Sequence, residues 1–217
     1  TLVCEVPMGT DSVRSTTVQH LREVRIWEDI SPETPERDST TYRGLTLFSS
    51  GKQRLKSRLY ASHINLQKGD TMRASAVRNS YADLSTHPAI AQATFKISPV
   101  PIDRRALDSD ISIERKKPHM VGQELEGTNT AGDLGAAASL TFSNRNMFRG
   151  SELLSLKLRG AFEAITGLEG YANENFIEWS AEASLRFPTL LAPFVKYRIH
   201  KALKAESEAK LMYDSQD

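Results

Sequence analysis

The sequence predicts an α+β unit followed by a sheet made only of antiparallel strands, and three observations carry that prediction. Between Leu55 and Leu84 two stretches place apolar residues at helical spacing, with strand-like alternation on either side. Beyond Lys116-Lys117-Pro118 the helical period gives way to long runs that are strictly two-faced. Those runs are broken by turn-rich segments of the kind that join hairpins.

Taken in order, LVCEV near the start of the polar segment 1–17 reads as a single strand, the end of a preceding module. REVRIWEDI places Val24, Ile26 and Ile30 on one face by alternation. Ser31–Thr40, with two prolines and three acidic residues, reads as a solvated loop. YRGLTLFSSG resumes strand character through Leu45 and Leu47. A helix is expected over KQRLKSRLYASHI, where Leu55 and Leu59 lie four apart. A second is expected after the breaker LQKGD, with Asp70 or Thr71 as its cap and Val77, Tyr81 and Leu84 as its apolar face. Pro88 ends it, because His87 before a proline is biased away from helical geometry. Ala91, Ala93, Phe95 and Ile97 then alternate up to Pro99-Val100-Pro101. In LDSDISIER, Leu107, Ile111 and Ile113 face one way and Asp108, Asp110 and Glu114 the other.

The second half reads as about five strands in meander order. After the edge-like VGQELEGT come alternating runs through Ala136, Ala138, Leu140 and Phe142, then through Leu154, Leu156, Leu158 and Phe162. Further runs pass through Ile177, Trp179, Ala181, Ala183, Leu185 and Phe187, and through Leu203, Ala205, Ala209 and Leu211. Asn129–Gly135, Asn144–Gly150 and Gly167–Asn175 are the expected turns, and LLAPFVKYRIHK a connector of helical period.

Period-two alternation means one wet face and one dry face, and the dry face meets either a protein core or lipid. Alternation alone favours the soluble sandwich, because soluble sheets are commoner. Strand length and aromatics push the other way. The runs exceed the usual strand of about 5–6 residues. Aromatics including Phe142, Phe148, Phe162, Tyr171, Trp179, Phe187 and Tyr197 gather near strand ends, as a membrane girdle requires. The wet face carries Lys157, Arg159, Glu163, Glu178, Glu182, Arg186, Lys204, Glu206, Glu208 and Lys210, which suits a barrel lumen or an ordinary exposed face. Five strands do not close a transmembrane barrel, which starts at about eight. On the barrel reading the chain is truncated at both ends, in agreement with the missing secretory signal.

Composition removes several function classes. Among 217 residues, 28 Lys+Arg nearly cancel 27 Asp+Glu, so the net charge of +1 gives no bulk attraction for nucleic acid. One cysteine, Cys4, forms no disulfide framework and reads as an incidental apolar residue. Leu190–Val195 is the best apolar run, far short of the roughly 20 residues of a membrane helix. His20, His63, His87, His119 and His200 lack zinc spacing, and neither a P-loop, a nucleophile elbow nor a dinucleotide glycine pattern occurs. Gly150-Ser151-Glu152 lacks the nucleophile-elbow context. The acid pairs Asp108/Asp110 and Glu206/Glu208 read as solvated strand faces, and Lys52–Arg58 as a basic helix face, solvated or touching lipid headgroups. No enzyme, cofactor or metal is expected.

The combination resembles the outer-membrane β-barrel assembly superfamily that includes BamA and TamA, and most of all the TamA-like surface-antigen proteins of Bacteroides-type bacteria. The resemblance covers nearly the whole chain. Residues 18–117 look like the last periplasmic POTRA module, with INLQKGD, two helices and the closing strands FKISPV and LDSDISIERKK. Residues 118–217 look like the first five or so barrel strands, most specifically over Gln123–Ala164, and AEASLRFP resembles the end of the fourth. The proline-bearing loop at Ser31–Thr40 departs from a generic module.

The resemblance implies an incomplete transmembrane β-barrel in the bacterial outer membrane, with its module in the periplasm. It implies a factor that inserts client barrels without ATP or a catalytic residue. Its partners would be unfolded outer-membrane protein clients, periplasmic or outer-membrane accessory subunits, and the lipid bilayer. It implies that Gln123, Glu124, Leu125, Glu126 and Gly127 form a client-strand edge, and that Ala93, Thr94, Phe95, Lys96, Ile97 and Ser98 form a second edge in the module. Leu140, Phe142, Leu154, Leu156, Leu158, Phe162, Trp179 and Leu185 would face lipid. A two-partner secretion pore of the same superfamily, and a soluble β-sandwich acting at a cell surface or on carbohydrate, are the alternatives.

Overall fold

The computed structural model describes residues 18–34, 38–103, 105–130, 133–164, 175–189 and 205–216. The expected strand LVCEV and the connector LLAPFVKYRIHK lie outside the described residues. The described chain forms two five-stranded sheets and two helices, and most of its strand pairs are antiparallel.

The first sheet holds β1 (His20–Glu28), β2 (Asp38–Tyr42), β3 (Leu45–Ser49), β4 (Ile90–Pro99) and β5 (Ala106–Arg115). Their order is β2-β3-β1-β5-β4, with β1 parallel to both β3 and β5. The segment expected to be one long loop therefore ends in a strand, since Asp38–Tyr42 pairs antiparallel with β3. Arg43 and Gly44, at φ of 49° and 80°, make the two-residue turn between them, which demands positive φ twice. Ile30 lies past the end of β1 rather than in it.

Helices α1 (Ser57–His63) and α2 (Ala74–Ser85) are the only helices among the described residues. Both are shorter than their periodicity predicts. Leu55 is buried before α1 begins, and α2 starts after Arg73, so neither Asp70 nor Thr71 caps it. Leu59, Val77 and Leu84 pack with Val24, Ile26, Phe95, Ile111 and Ile113 in one core, and Tyr81 lies against it. A register shift between Ile90 and Gln92 turns Ile90 inward and leaves Ala91 exposed, against the expected alternation.

Asp108 and Asp110 are not on a solvated face. A bulge at Arg22 turns its guanidinium onto Asp108, at 2.9 Å from Nε. Arg25 grips Asp110 with two donors at 2.8 and 2.9 Å, and the Trp27 indole donates to the same carboxylate at 2.9 Å. Trp27 also stacks on Phe48, ring centroids 4.2 Å apart. Bidentate guanidinium–carboxylate geometry fixes neighbouring strands in register as well as balancing charge.

The second sheet is a meander of β6 (His119–Thr130), β7 (Asp133–Asn144), β8 (Leu153–Ala164), β9 (Asn175–Phe187) and β10 (Ser207–Gln216), each antiparallel to its neighbours. The last strand begins later than expected and keeps the phase of Ala209 and Leu211.

Candidate functional site

Antiparallel register stacks like with like across the second sheet. One row runs Val121, Phe142, Leu156, Ala183, Leu211, and the next runs Gln123, Leu140, Leu158, Ala181, Tyr213. A third runs Leu125, Ala138, Gly160, Trp179, Ser215. This is the apolar face, and it is bare: Leu140 is 50 %, Leu158 60 % and Trp179 64 % exposed. Leu156 and Phe162 are also exposed, while Phe142, Leu154 and Leu185 are partly so.

The opposite face carries the charged side chains, which cover its small residues. Ser139 and Ser143 there are only 8 % and 5 % exposed. β7 contributes nothing longer than Thr141 beside Ala137 and Ser139, so side chains from β6 and β8 meet above it. Arg159 reaches Glu126 at 3.2 Å and Glu178 at 3.7 Å, and Lys157 reaches Glu124 at 3.9 Å. Lys210 meets Glu182 at 3.0 Å and Arg186 meets Glu208 at 3.6 Å. Glu206 and Glu208 are exposed, as a solvated face requires, and lie within ion-pair distance of Arg186. A soluble sheet buries its apolar face against a core; among the described residues this sheet leaves its apolar face uncovered, while the charged face is only partly shielded by its own ion pairs.

Two edges concern the predicted client sites. β6 ends the second sheet, with Gln123, Leu125 and Gly127 on the apolar face and Glu124 and Glu126 on the charged face. Its far edge has no partner strand among the described residues. β4 likewise ends the first sheet. Ala93, Phe95 and Ile97 are buried in the core, and Thr94, Lys96 and Ser98 lie on the other face.

The turn between β7 and β8 joins the two sheets, and sequence reading did not find its joint. The Glu152 carboxylate, nearly buried, accepts from the N–H groups of Phe148 and Gly150 at 2.9 Å and folds the turn. Arg149 and Ser151 take positive φ there. The Arg149 carbonyl accepts from Lys56 N–H at 2.8 Å, and its guanidinium donates to the Gln53 carbonyl. Asn146 donates to the Arg54 carbonyl at 3.1 Å, and buried Ser151 accepts from Ala89 N–H at 2.9 Å. From inside the first unit, the buried Glu28 carboxylate accepts from Arg54 and Leu55 N–H, both at 3.1 Å, and pairs with Arg115 at 3.3 Å. Burial holds Glu28 above the usual carboxylate range, against the pull of Arg115. The segment 53–56 is thus gripped from both sides.

Burial also lowers the His87 pKa to about 3, with His63 beside it as a second cause. The two rings meet edge to face at 4.2 Å. Among the described residues no group of three or more His, Cys, Asp or Glu could hold a metal ion. Nor is any described helix long and apolar enough to cross a membrane.

No protein-family model matches the chain, and no curated protein matches it. Among solved structures it is similar to BamA from Haemophilus ducreyi lacking POTRA domains 1–3, at 10 % identity over 83 % of this chain and 40 % of that one, with a TM-score of 0.39. It is also similar to CdiB from Acinetobacter baumannii, at 10 % identity over 92 % of this chain and 38 % of that one, with a TM-score of 0.44. The chain therefore spans about two-fifths of the length of each.

Proposed function

We propose that the chain is part of an outer-membrane β-barrel assembly factor of the TamA-like kind, working without ATP and without a catalytic residue. Residues 18–117 form the last POTRA-like periplasmic module, and 118–217 supply the first barrel strands. The observation that carries the reading is the uncovered apolar face of the second sheet, set opposite a face of paired charges, with β6 left as an open edge. Lipid is the surrounding that such a face fits. In lipid, each unpaired backbone N–H or C=O costs several kcal/mol, so an open edge draws in another strand. The work of insertion is then strand exchange at β6, with clients arriving unfolded and accessory subunits bringing them. β4 offers the periplasmic module a second edge for an extended client.

The test replaces Cys4 and places a single cysteine at Glu124 in the full-length protein. Membranes are then supplied with an unfolded client barrel that carries cysteines along its terminal strand. A disulfide in one register supports the reading. A Glu124 cysteine that pairs only with the protein's own closing strand, in the presence of client, overturns it.

A further inference from the structure

At the joint between the two sheets lies a cavity of about 450 Å³, lined among others by Lys52, Gln53, Arg54, His119, Asn146 and Arg149. We propose that it binds the phosphate of an anionic phospholipid headgroup, an inference that rests on the membrane-wall reading of the second sheet. No lining residue is acidic. The nearest carboxylate of the turn, Glu152, is committed to the Phe148 and Gly150 N–H groups. Lys52 and Arg54 are exposed and have no carboxylate partner among the described residues. The buried side-chain nitrogen of Gln53 has no hydrogen-bond partner, which leaves a donor unsatisfied beside the cations.

Position points to a lipid. The cavity borders Asn144 and His119, at the end of β7 and the start of β6. The apolar face stops at this end of the sheet, where Phe148 stacks with Phe187, centroids 6.5 Å apart, and where exposed Met147 adjoins. Aromatic rings of this kind mark the level of headgroups. A cationic cavity at that level meets phosphodiesters before it meets anything else.

The test is native mass spectrometry of the full-length protein in detergent, with phosphatidylglycerol or phosphatidylcholine added. The variants are Lys52→Gln with Arg54→Gln, and a control of Arg78→Gln with Lys68→Gln, which removes the same charge from exposed positions elsewhere. Phosphatidylglycerol is expected to be retained over phosphatidylcholine. The cavity variant should lose about thirtyfold in affinity, at about fivefold for each basic side chain near an anionic lipid. The control variant should keep the preference.

Equal retention of both lipids, or equal loss in the two variants, overturns the proposal. Displacement by inorganic phosphate at matching concentration assigns the site to free phosphate and overturns the lipid assignment. A spin label at Leu156 in the same protein separates the two readings. A lipid-exposed label without phosphatidylglycerol preference defeats this inference alone, and a shielded label defeats the membrane wall beneath it.

Discussion

Replacing Leu158 with arginine separates a membrane wall from a soluble sheet by energy. Leu158 is the sixth of twelve residues in β8. Twelve residues at about 3.3 Å each, tilted by roughly 40°, rise about 30 Å, the thickness of a hydrocarbon core. Leu158 then lies near the midplane. It sits between Leu140 and Ala181 on the neighbouring strands and is 60 % exposed. At that depth arginine costs about 2–4 kcal/mol, or roughly 30- to 900-fold in the folding equilibrium. On a surface wetted to the same degree it costs about 0.5 kcal/mol or less. Ala161→Arg is the control, because Ala161 faces the charged side opposite Glu178 and should tolerate the cation within about 0.5 kcal/mol. The assay is guanidinium unfolding of the full-length protein in phospholipid vesicles. Equal and small effects of Leu158→Arg and Ala161→Arg would refute the reasoning.

Three further outcomes are expected. Brominated lipid should quench Trp179, which is exposed on the apolar face, and not Trp27, which is buried in the first unit, as fluorescence of Trp27→Phe and Trp179→Phe variants will show. Glu28→Ala should destabilise the first unit by about 3–5 kcal/mol in chemical denaturation, since it leaves Arg115 and two backbone donors without the shared carboxylate; Glu28→Gln, which keeps an acceptor, should cost less. His87 is held neutral by burial, with its pKa lowered to about 3. Its contribution is therefore fully present above the ordinary value near 6.5 and is lost as pH falls from there toward about 3. His87→Leu should flatten the stability–pH profile across that window.

The two-faced strands were legible because their period is uniform: Leu154, Leu156, Leu158 and Phe162 all fall on one side. What periodicity does not encode is how the charged face pairs. That depends on the small residues of β7, which let Arg159 and Glu126 meet across an intervening strand. The first unit was legible in element type and less so at its boundaries. The α1 region follows i, i+4 spacing from Leu55, yet Glu28 and Arg149 hold residues 54–56 in a non-helical approach. Both are distant in sequence, so local pattern carries no trace of them. Asp108 and Asp110 show no local sign of their pairing for the same reason, their arginine partners lying 86 and 85 residues away. The joint formed by Asn146, Arg149, Ser151 and Glu152 left only a turn signature, since a buried glutamate that accepts from backbone N–H groups looks in sequence like any other.

The central claim is that the apolar face of the second sheet meets lipid, and spin-label accessibility at two adjacent residues tests it most directly. With Cys4 replaced, single labels at Leu156 and Lys157 are compared in the native, membrane-inserted protein. The account predicts that oxygen relaxes the label at 156 while a water-soluble relaxer reaches the label at 157. A label at 156 shielded from both reagents would place a protein core behind the sheet and contradict it.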